Sequence, residues 1–307
     1  MPPGLNGLLL VDKPVGITSH DVVSRVRRLV GMTRVGHGGT LDPFASGVVV
    51  VAVGQATRVL QYVQHSDKRY LAHVVLGVET DSHDIEGEIL ARRAVTEWPS
   101  VSDVEQAASL FTGAIEQVPP RHSAIKIAGR KMYDLARAGV KVDVPSRSVN
   151  VYSIDVLSYD PPDLRIAVHC GKGTYIRSIA RDIGSALGIG AYCHGLRRYV
   201  NGPFCLKDCW TLDDLDEAHQ QARWSSIAIH PDAAIAHLDA LVVDETGVAA
   251  WYHGRSIHVS TTRLVDDGAL LRVYASDGRF LGVGRSNPPD IVQPKLVFSS
   301  QHGIEDE

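Results

Sequence analysis

Apolar residues in this chain fall into short runs broken by glycine, proline and acidic turns, and their spacing changes from run to run. Residues 7–11 and 48–53 are continuous aliphatic runs, which predicts short buried strands. Between them Val22, Val23, Val26, Leu29 and Val30 recur at three- and four-residue intervals behind Thr18 and Ser19. That spacing predicts an amphipathic helix capped by one of the two hydroxyls, with Arg25, Arg27 and Arg28 on its other face. A short helix over 56–63 and a valine-rich strand over 70–76 follow, with Tyr70 at the strand's start. Next come a helix over 102–111 and two strands over 149–158 and 164–170. A further helix has Ile176, Ile179, Ala180 and Ile183 on its apolar face and Thr174 as its cap. From 241 onward the runs shorten (241–243, 258–261, 269–274, 280–283, 295–298), with Gly254, Gly278 and Gly284 at turns, which predicts a small β-rich end. The pattern therefore predicts a mixed α/β chain: a large domain over 1–212, a linking, helical segment over 213–240, and a small domain over 241–307 with a disordered tail. Strand order is left open.

Composition changes this picture in two places. An apolar content of 44% in 307 residues is ample for a core. No window approaches about 18 consecutive apolar residues, and the early 8–11 run lacks a basic flank, so neither a membrane span nor a signal peptide is expected and the protein is placed in the cytoplasm. Cys170, Cys193, Cys205 and Cys209 form no CxxC pair and no HExxH is present, so the thiols are read as reduced and no metal is expected. The acidic loop Thr80 to Gly87 lacks the ligand register of a calcium loop, and Gly171-Lys172-Gly173-Thr174 lacks the first glycine of a P-loop. The net charge of −4 would argue against a nucleic-acid partner if it were uniform. It is not: residues 1–207 carry 24 Lys/Arg against 19 Asp/Glu, and 208–307 carry 7 against 16. Phosphate contacts need only a local basic face, so RNA stays open as a partner for the first two-thirds.

The densest chemistry lies in Gly36-His37-Gly38-Gly39-Thr40-Leu41-Asp42-Pro43-Phe44-Ala45-Ser46-Gly47, just before the 48–53 run. Its glycines allow tight turns, and Pro43 pushes Asp42 towards an extended conformation, so the loop presents one carboxylate at the entry to a buried strand. Taken alone, the commoner reading is a strand-entry turn in which Asp42 caps its own backbone. The motif resembles that of the TruB family of tRNA pseudouridine synthases, in which this aspartate is the nucleophile. Four further stretches are similar to family motifs: Lys13-Pro14, Lys68-Arg69-Tyr70, Gly173-Thr174-Tyr175-Ile176-Arg177 and Leu196-Arg197-Arg198. The similarity is strong over about 5–212 and weaker beyond, where 280–284 resembles a PUA-like RNA-binding barrel whose acidic balance is atypical.

The resemblance implies a pseudouridine synthase fold around a central, largely antiparallel mixed sheet, and isomerisation of uridine 55 in the tRNA T loop without cofactor or guide RNA, by a monomer. Asp42, Tyr70 and Arg177 would be catalytic: the nucleophile, an aromatic platform for the base, and the partner that keeps Asp42 charged, which near an opposite charge lowers a carboxylate pKa by roughly 1–3 units. On the substrate side it places His37, filling the space a flipped uridine leaves, with Lys13, Lys68, Asp84, Tyr175, Arg197 and Arg198. The Lys13-Pro14 pair is there understood as support for the fold and the catalytic loop. Between Arg121 and Arg147 lie seven Lys/Arg against two Asp, with a short helix predicted over 131–138. This stretch (119–147) resembles the family's thumb, which closes over the T stem and loop, so Arg121, Lys126, Arg130 and Lys131 are assigned to phosphates. Three alternatives stand beside this one: a tRNA-binding chaperone without activity, a hydrolase pairing Asp42 with Asp84, and a guide-RNA-dependent synthase.

Overall fold

The computed structural model describes residues 5–120, 126–127, 130–131, 144–259, 266–287 and 290–298, and in 126–127 and 130–131 the backbone only. β1 (Gly7–Lys13) lies antiparallel to β3 (Ala45–Val53) with Lys13 opposite Gly47, so the strand that ends in Lys13 finishes against the exit of the Asp42 loop. α1 (Ser19–Val30) begins at Thr18, whose hydroxyl accepts from Asp21 N–H while the Asp21 carboxylate accepts from Thr18 N–H, and stops at Gly31 with φ 65°. β2 (Val35–His37) pairs with β3 along the edge opposite β1, since Val53 faces Gly7 on one side and Val35 on the other. The expected 56–63 helix is divided: a 3₁₀ turn over Gly54–Val59 precedes α2 (Leu60–His65).

β4 (Lys68–Leu76) is followed by the small hairpin β5 (Val78–Thr80) and β6 (Ile89–Arg92), then α3 (Val101–Ser109) and β7 (Gly113–Gln117). β8 (Lys126–Ile127) pairs with β9 (Arg130–Lys131). The helix expected over 131–138 and the tail after 298 lie outside the described residues. Completing the large sheet are β10 (Arg147–Asp160), β11 (Asp163–Cys170), then after α4 (Ile176–Ala186) β12 (Ala191–Asn201) and β13 (Phe204–Cys205). Its order is β1-β3-β12-β4-β11-β10-β7, with β2 on β3 and β13 on β12. Every pair is antiparallel except β3 with β12.

Both faces of β3 are covered, which is why its sequence is an unbroken aliphatic run rather than an alternation. On one face Val49 and Val51 join Leu9, Val11, Tyr70, Ala72, Val74, Ile166 and Val168 in the main core, under α1, α3 and α4. On the other, Leu8, Leu10, Val48, Val50 and Ala52 pack against Leu60 and Val63 of α2 and against Phe298 from the C-terminal part. The 213–240 segment is helical and packed: α5 (Leu212–Gln220) and α6 (Trp224–Ile227) add Leu215, Ala218, Trp224 and Ile227 to the main core. The end of the chain forms β14 (Asp239–Val243), α7 (Glu245–Tyr252), β15 (Ile257–His258), β16 (Leu270–Ala275), β17 (Phe280–Asn287) and β18 (Ile291–Val297). These strands make a five-stranded sheet, β14-β16-β17-β18-β15, with its own core around Trp251, Val273, Leu281 and Val292. The fold is the expected mixed α/β architecture with a β-rich C-terminal part. α7 escapes periodicity because its apolar residues are consecutive (Val248 to Trp251) rather than spaced along one stripe.

Candidate active site

The site is assembled on the first turn of α4. Its cap is Tyr175, not Thr174, whose hydroxyl donates instead to the Gly171 carbonyl at 3.1 Å. Tyr175 offers no side-chain cap; its N–H donates to Gln117 Oε1 at 2.8 Å and its carbonyl accepts from Gln117 Nε2 at 3.0 Å. A buried amide from the end of β7 thus fixes the helix start, and two residues further on Arg177 points inward, only 3% exposed.

That guanidinium is shared. Nη2 lies 3.0 Å from Asp42 Oδ2, and Nη1 lies 2.8 Å from Asp84 Oδ2 and 3.2 Å from the Ser82 carbonyl. Asp84 is 3% exposed, and its other oxygen accepts from Ser82 Oγ at 2.5 Å and from Glu86 N–H at 3.1 Å. Asp42 keeps 30% of its side chain open to solvent. Burial pushes the Asp42 carboxyl above its ordinary value and the Asp84 carboxylate adds to the rise, while Arg177 and Lys13 pull against it. Arg177 lowers the pKa of this carboxyl, as expected, but burial outweighs it and the net shift is upward. One buried cation divided between two carboxylates does not offset desolvation.

Three of the cations assigned to substrate are turned to the backbone instead. Lys13 is fully buried, donates to the carbonyls of Pro14, Ile17 and Pro43 at 2.9, 2.7 and 3.4 Å, and has a pKa lowered by burial to about 8. Lys68 caps the end of α2 through the carbonyls of Val63 and Gln64 at 3.0 and 2.8 Å and that of Ser66. Arg198, 1% exposed, donates to the carbonyls of Val48, Thr40 and Gly39 at 2.9, 3.3 and 3.1 Å. None of the three has a free face for a ligand, and each binds the frame of the site. Arg197 follows from strand alternation: one residue before an inward Arg198 it faces the other way, exposed, with Asp12 Oδ2 at 2.8 Å.

Tyr70 is the third residue of β4, not its first, and sits in the main core at 8% exposure; burial raises its phenol pKa. His37 enters the loop half-buried, its Nδ1 accepting from Gly39 N–H at 3.4 Å, and burial lowers its pKa, which favours the neutral ring. The ring of Tyr175 lies under the Arg147 guanidinium at 4.6 Å. The side chains of Arg121, Lys126, Arg130 and Lys131 lie outside the described residues. Asp42, Arg177 and Asp84 are in direct contact, with Lys13 beneath Pro43. Gln117 and Ser82 were not foreseen, since a lone glutamine at a strand end and a serine in an acidic loop carry no distinctive spacing. Among the described residues no group of three or more His, Cys, Asp or Glu could hold a metal, and no helix is long and apolar enough to cross a membrane. A surface groove lined by Trp98, Leu110, Leu187 and Ile189 contains none of the site residues.

This chain matches known families along most of its length: residues 27–176 the TruB family pseudouridylate synthase (N terminal domain), 177–243 the tRNA pseudouridylate synthase B C-terminal domain, and 240–298 the pseudouridine synthase II TruB, C-terminal family. A protein of Dehalococcoides mccartyi named tRNA pseudouridine synthase B is 40% identical over 96% of this chain and 97% of its own length. One of the same name from Pseudomonas aeruginosa is 37% identical, over 96% and 97%. Among solved structures, a chain of a Cbf5-Nop10-Gar1 complex is 28% identical with a TM-score of 0.72, covering 95% of this chain and 85% of that one. A chain of an H/ACA RNP bound to a substrate RNA containing 2'-deoxyuridine is 25% identical with a TM-score of 0.73, covering 96% and 86%.

Proposed function

The chain belongs to the TruB family of pseudouridine synthases, and from that premise we propose that it isomerises uridine 55 in the T loop of tRNA to pseudouridine, acting as a single chain without guide RNA. The bond from uracil N1 to ribose C1′ breaks, the base turns, and C1′ bonds to C5. N1 gains a proton and C5 loses one, so no electrons are exchanged with a cofactor. Such a reaction needs one carboxylate that can attack or stabilise an electron-poor centre and then leave. Asp42 suits that role, being the carboxylate of the cluster with open surface, on a loop held from below. Its raised pKa makes it the stronger nucleophile once ionised. Arg177 keeps it oriented, and Asp84 keeps Arg177 oriented.

A uridine stacked within a folded loop must leave its stack to reach Asp42. Tyr70 would receive the base, and because its ring is 8% exposed, the groups over it must yield as the base enters. His37 would fill the vacated space as a neutral ring, and the basic residues 121–147 would carry phosphate contacts. The single observation that carries the proposal is the open Asp42 carboxylate 3.0 Å from a buried guanidinium. A hydrolase pairing Asp42 with Asp84 is disfavoured, because Asp84 spends its acceptors on Arg177, Ser82 and Glu86.

The test is an unmodified T-arm transcript incubated with the purified chain alone, with pseudouridine read by mass spectrometry after chemical derivatisation. Product at uridine 55 is expected. Binding without product would favour the chaperone, and product only after a guide RNA is added would favour the guide-RNA-dependent class.

A further inference from the structure

We propose that Arg198 is a positioning residue for this reaction, holding the Asp42 loop and Tyr70 at a fixed separation from the strand that lies between them. The inference rests on the function proposed above. β12 is flanked by β3, which the loop enters, and by β4, which carries Tyr70, and Arg198 stands opposite Gly47 on one side and Tyr70 on the other. Its guanidinium spans from Val48 in β3 to Gly39 and Thr40 at the start of the loop. Those three carbonyls bracket Asp42 in the sequence, two before it and one after. A planar fork sets its donors on three separate nitrogens at fixed angles, one to each of these carbonyls; a lysine gathers all its donors on one nitrogen, as Lys13 and Lys68 do with the carbonyls they hold.

The backbone is shaped for this contact. At Gly47, φ is 109°, and a Cβ there would lie 2.1 Å from the Arg198 carbonyl oxygen, so the two strands approach more closely than any side chain permits. Gly39, at φ 134°, turns its carbonyl to Arg198 in a conformation that side chains rarely adopt. The guanidinium also acts on the Tyr70 phenol, opposing the effect of burial on it. Arg198 therefore holds the backbone of the Asp42 loop and stands beside Tyr70 in the sheet while being 1% exposed and without a face for RNA. Misplacement of reacting groups by about 1 Å costs roughly 10²-fold in rate, and Arg198 is the side chain whose loss would permit it.

The experiment compares the wild-type chain with Arg198→Lys and Arg198→Ala on a T-arm RNA. It measures RNA affinity, single-turnover rate, and hydrogen exchange of residues 38–44. In Arg198→Lys, the expected result is affinity within about twofold of wild type, a rate lowered roughly 10²-fold, and faster exchange in the loop. Added guanidinium ion should restore at least about tenfold of the rate lost in Arg198→Ala, which a general loss of packing would not allow. Should Arg198→Ala not fold, Arg198→Lys carries the test through rate and exchange. Wild-type rate and exchange in Arg198→Lys would overturn the inference, as would a fall in rate matched by an equal fall in affinity. A wild-type chain that makes no pseudouridine would instead overturn the function proposed above.

Discussion

Two loops each deliver an aspartate to the same guanidinium, and they are built in opposite ways. The 82–86 turn locks its residue. Asp84 is 3% exposed, and its carboxylate accepts from Arg177, Ser82 Oγ and Glu86 N–H. The 38–44 loop is held by its backbone instead, through Lys13 at the Pro43 carbonyl and Arg198 at Gly39 and Thr40, so that Asp42 keeps one contact to Arg177 and 30% of its side chain open. A carboxylate whose oxygens are both engaged is a support, and one whose backbone is fixed while its side chain keeps open surface is a reactant. The same cation serves both, and burial, with the Asp84 carboxylate adding to it, raises the pKa of the open one.

The largest effect should come from the open carboxylate. Asp42→Asn keeps the shape of the loop but removes the nucleophile, so single-turnover rate on a T-arm RNA should fall by roughly 10⁴-fold or more with affinity little changed. Stability should move the other way. A carboxyl whose pKa is raised by folding contributes stability that is present below its unfolded value and lost as pH rises through its folded one. At neutral pH the Asn variant should therefore melt no lower than wild type. A variant with substantial turnover would make the two loops equivalent after all.

Asp84→Asn should invert this pattern. It breaks a buried ion pair, which costs on the order of 3–5 kcal/mol, and it loosens Arg177, for roughly 10²-fold in rate. A lowered melting temperature together with partial activity is the expected outcome. Equal losses of rate in the two variants would end the distinction between support and reactant.

The pH dependence sharpens the same contrast by a smaller amount. Asp84 raises the Asp42 pKa, so the acidic limb of the single-turnover profile should lie above the ordinary aspartate range in wild type and move to lower pH in Asp84→Asn. Lys13, with a pKa of about 8, opposes the rise at Asp42 only while protonated. A neutral amine has one N–H too few for the carbonyls of Pro14, Ile17 and Pro43, so the loop should loosen and rate decline as pH passes about 8, and Lys13→Arg should delay that decline. An acidic limb that Asp84→Asn leaves in place would break the link between the two carboxylates.

The smallest effect belongs to residues outside both loops. Replacing Arg130 and Lys131 by Ala should leave single-turnover rate at saturating RNA unchanged and reduce the salt dependence of binding by a slope of up to about 2. A drop in the saturated rate would mean that this segment also shapes the reaction centre.

Much of this was legible in the chain by itself. The run at 48–53 announced a buried strand, the hydroxyls of Thr18 and Ser19 ahead of a periodic apolar stripe a capped helix, and the glycines around Asp42 a tight loop presenting a carboxylate, because each depends on neighbours within a few residues. What the motifs say only in part is where charged side chains go. The resemblance pairs Arg177 with Asp42, and the two lie 3.0 Å apart, but it gives no sign of the second partner, Asp84, 93 residues away in sequence. Lys13, Lys68 and Arg198 suggest ligand contacts until their ammonium and guanidinium groups are seen on backbone carbonyls. Periodicity encodes which side of an element is apolar, and so it located the long strands and the helices with an apolar stripe, while glycine and proline marked the loop. The pairing of buried cations with particular carboxylates and carbonyls is set by strand order and loop closure, since only the folded chain brings groups so distant in sequence within about 3 Å in a medium that makes an unpaired charge costly.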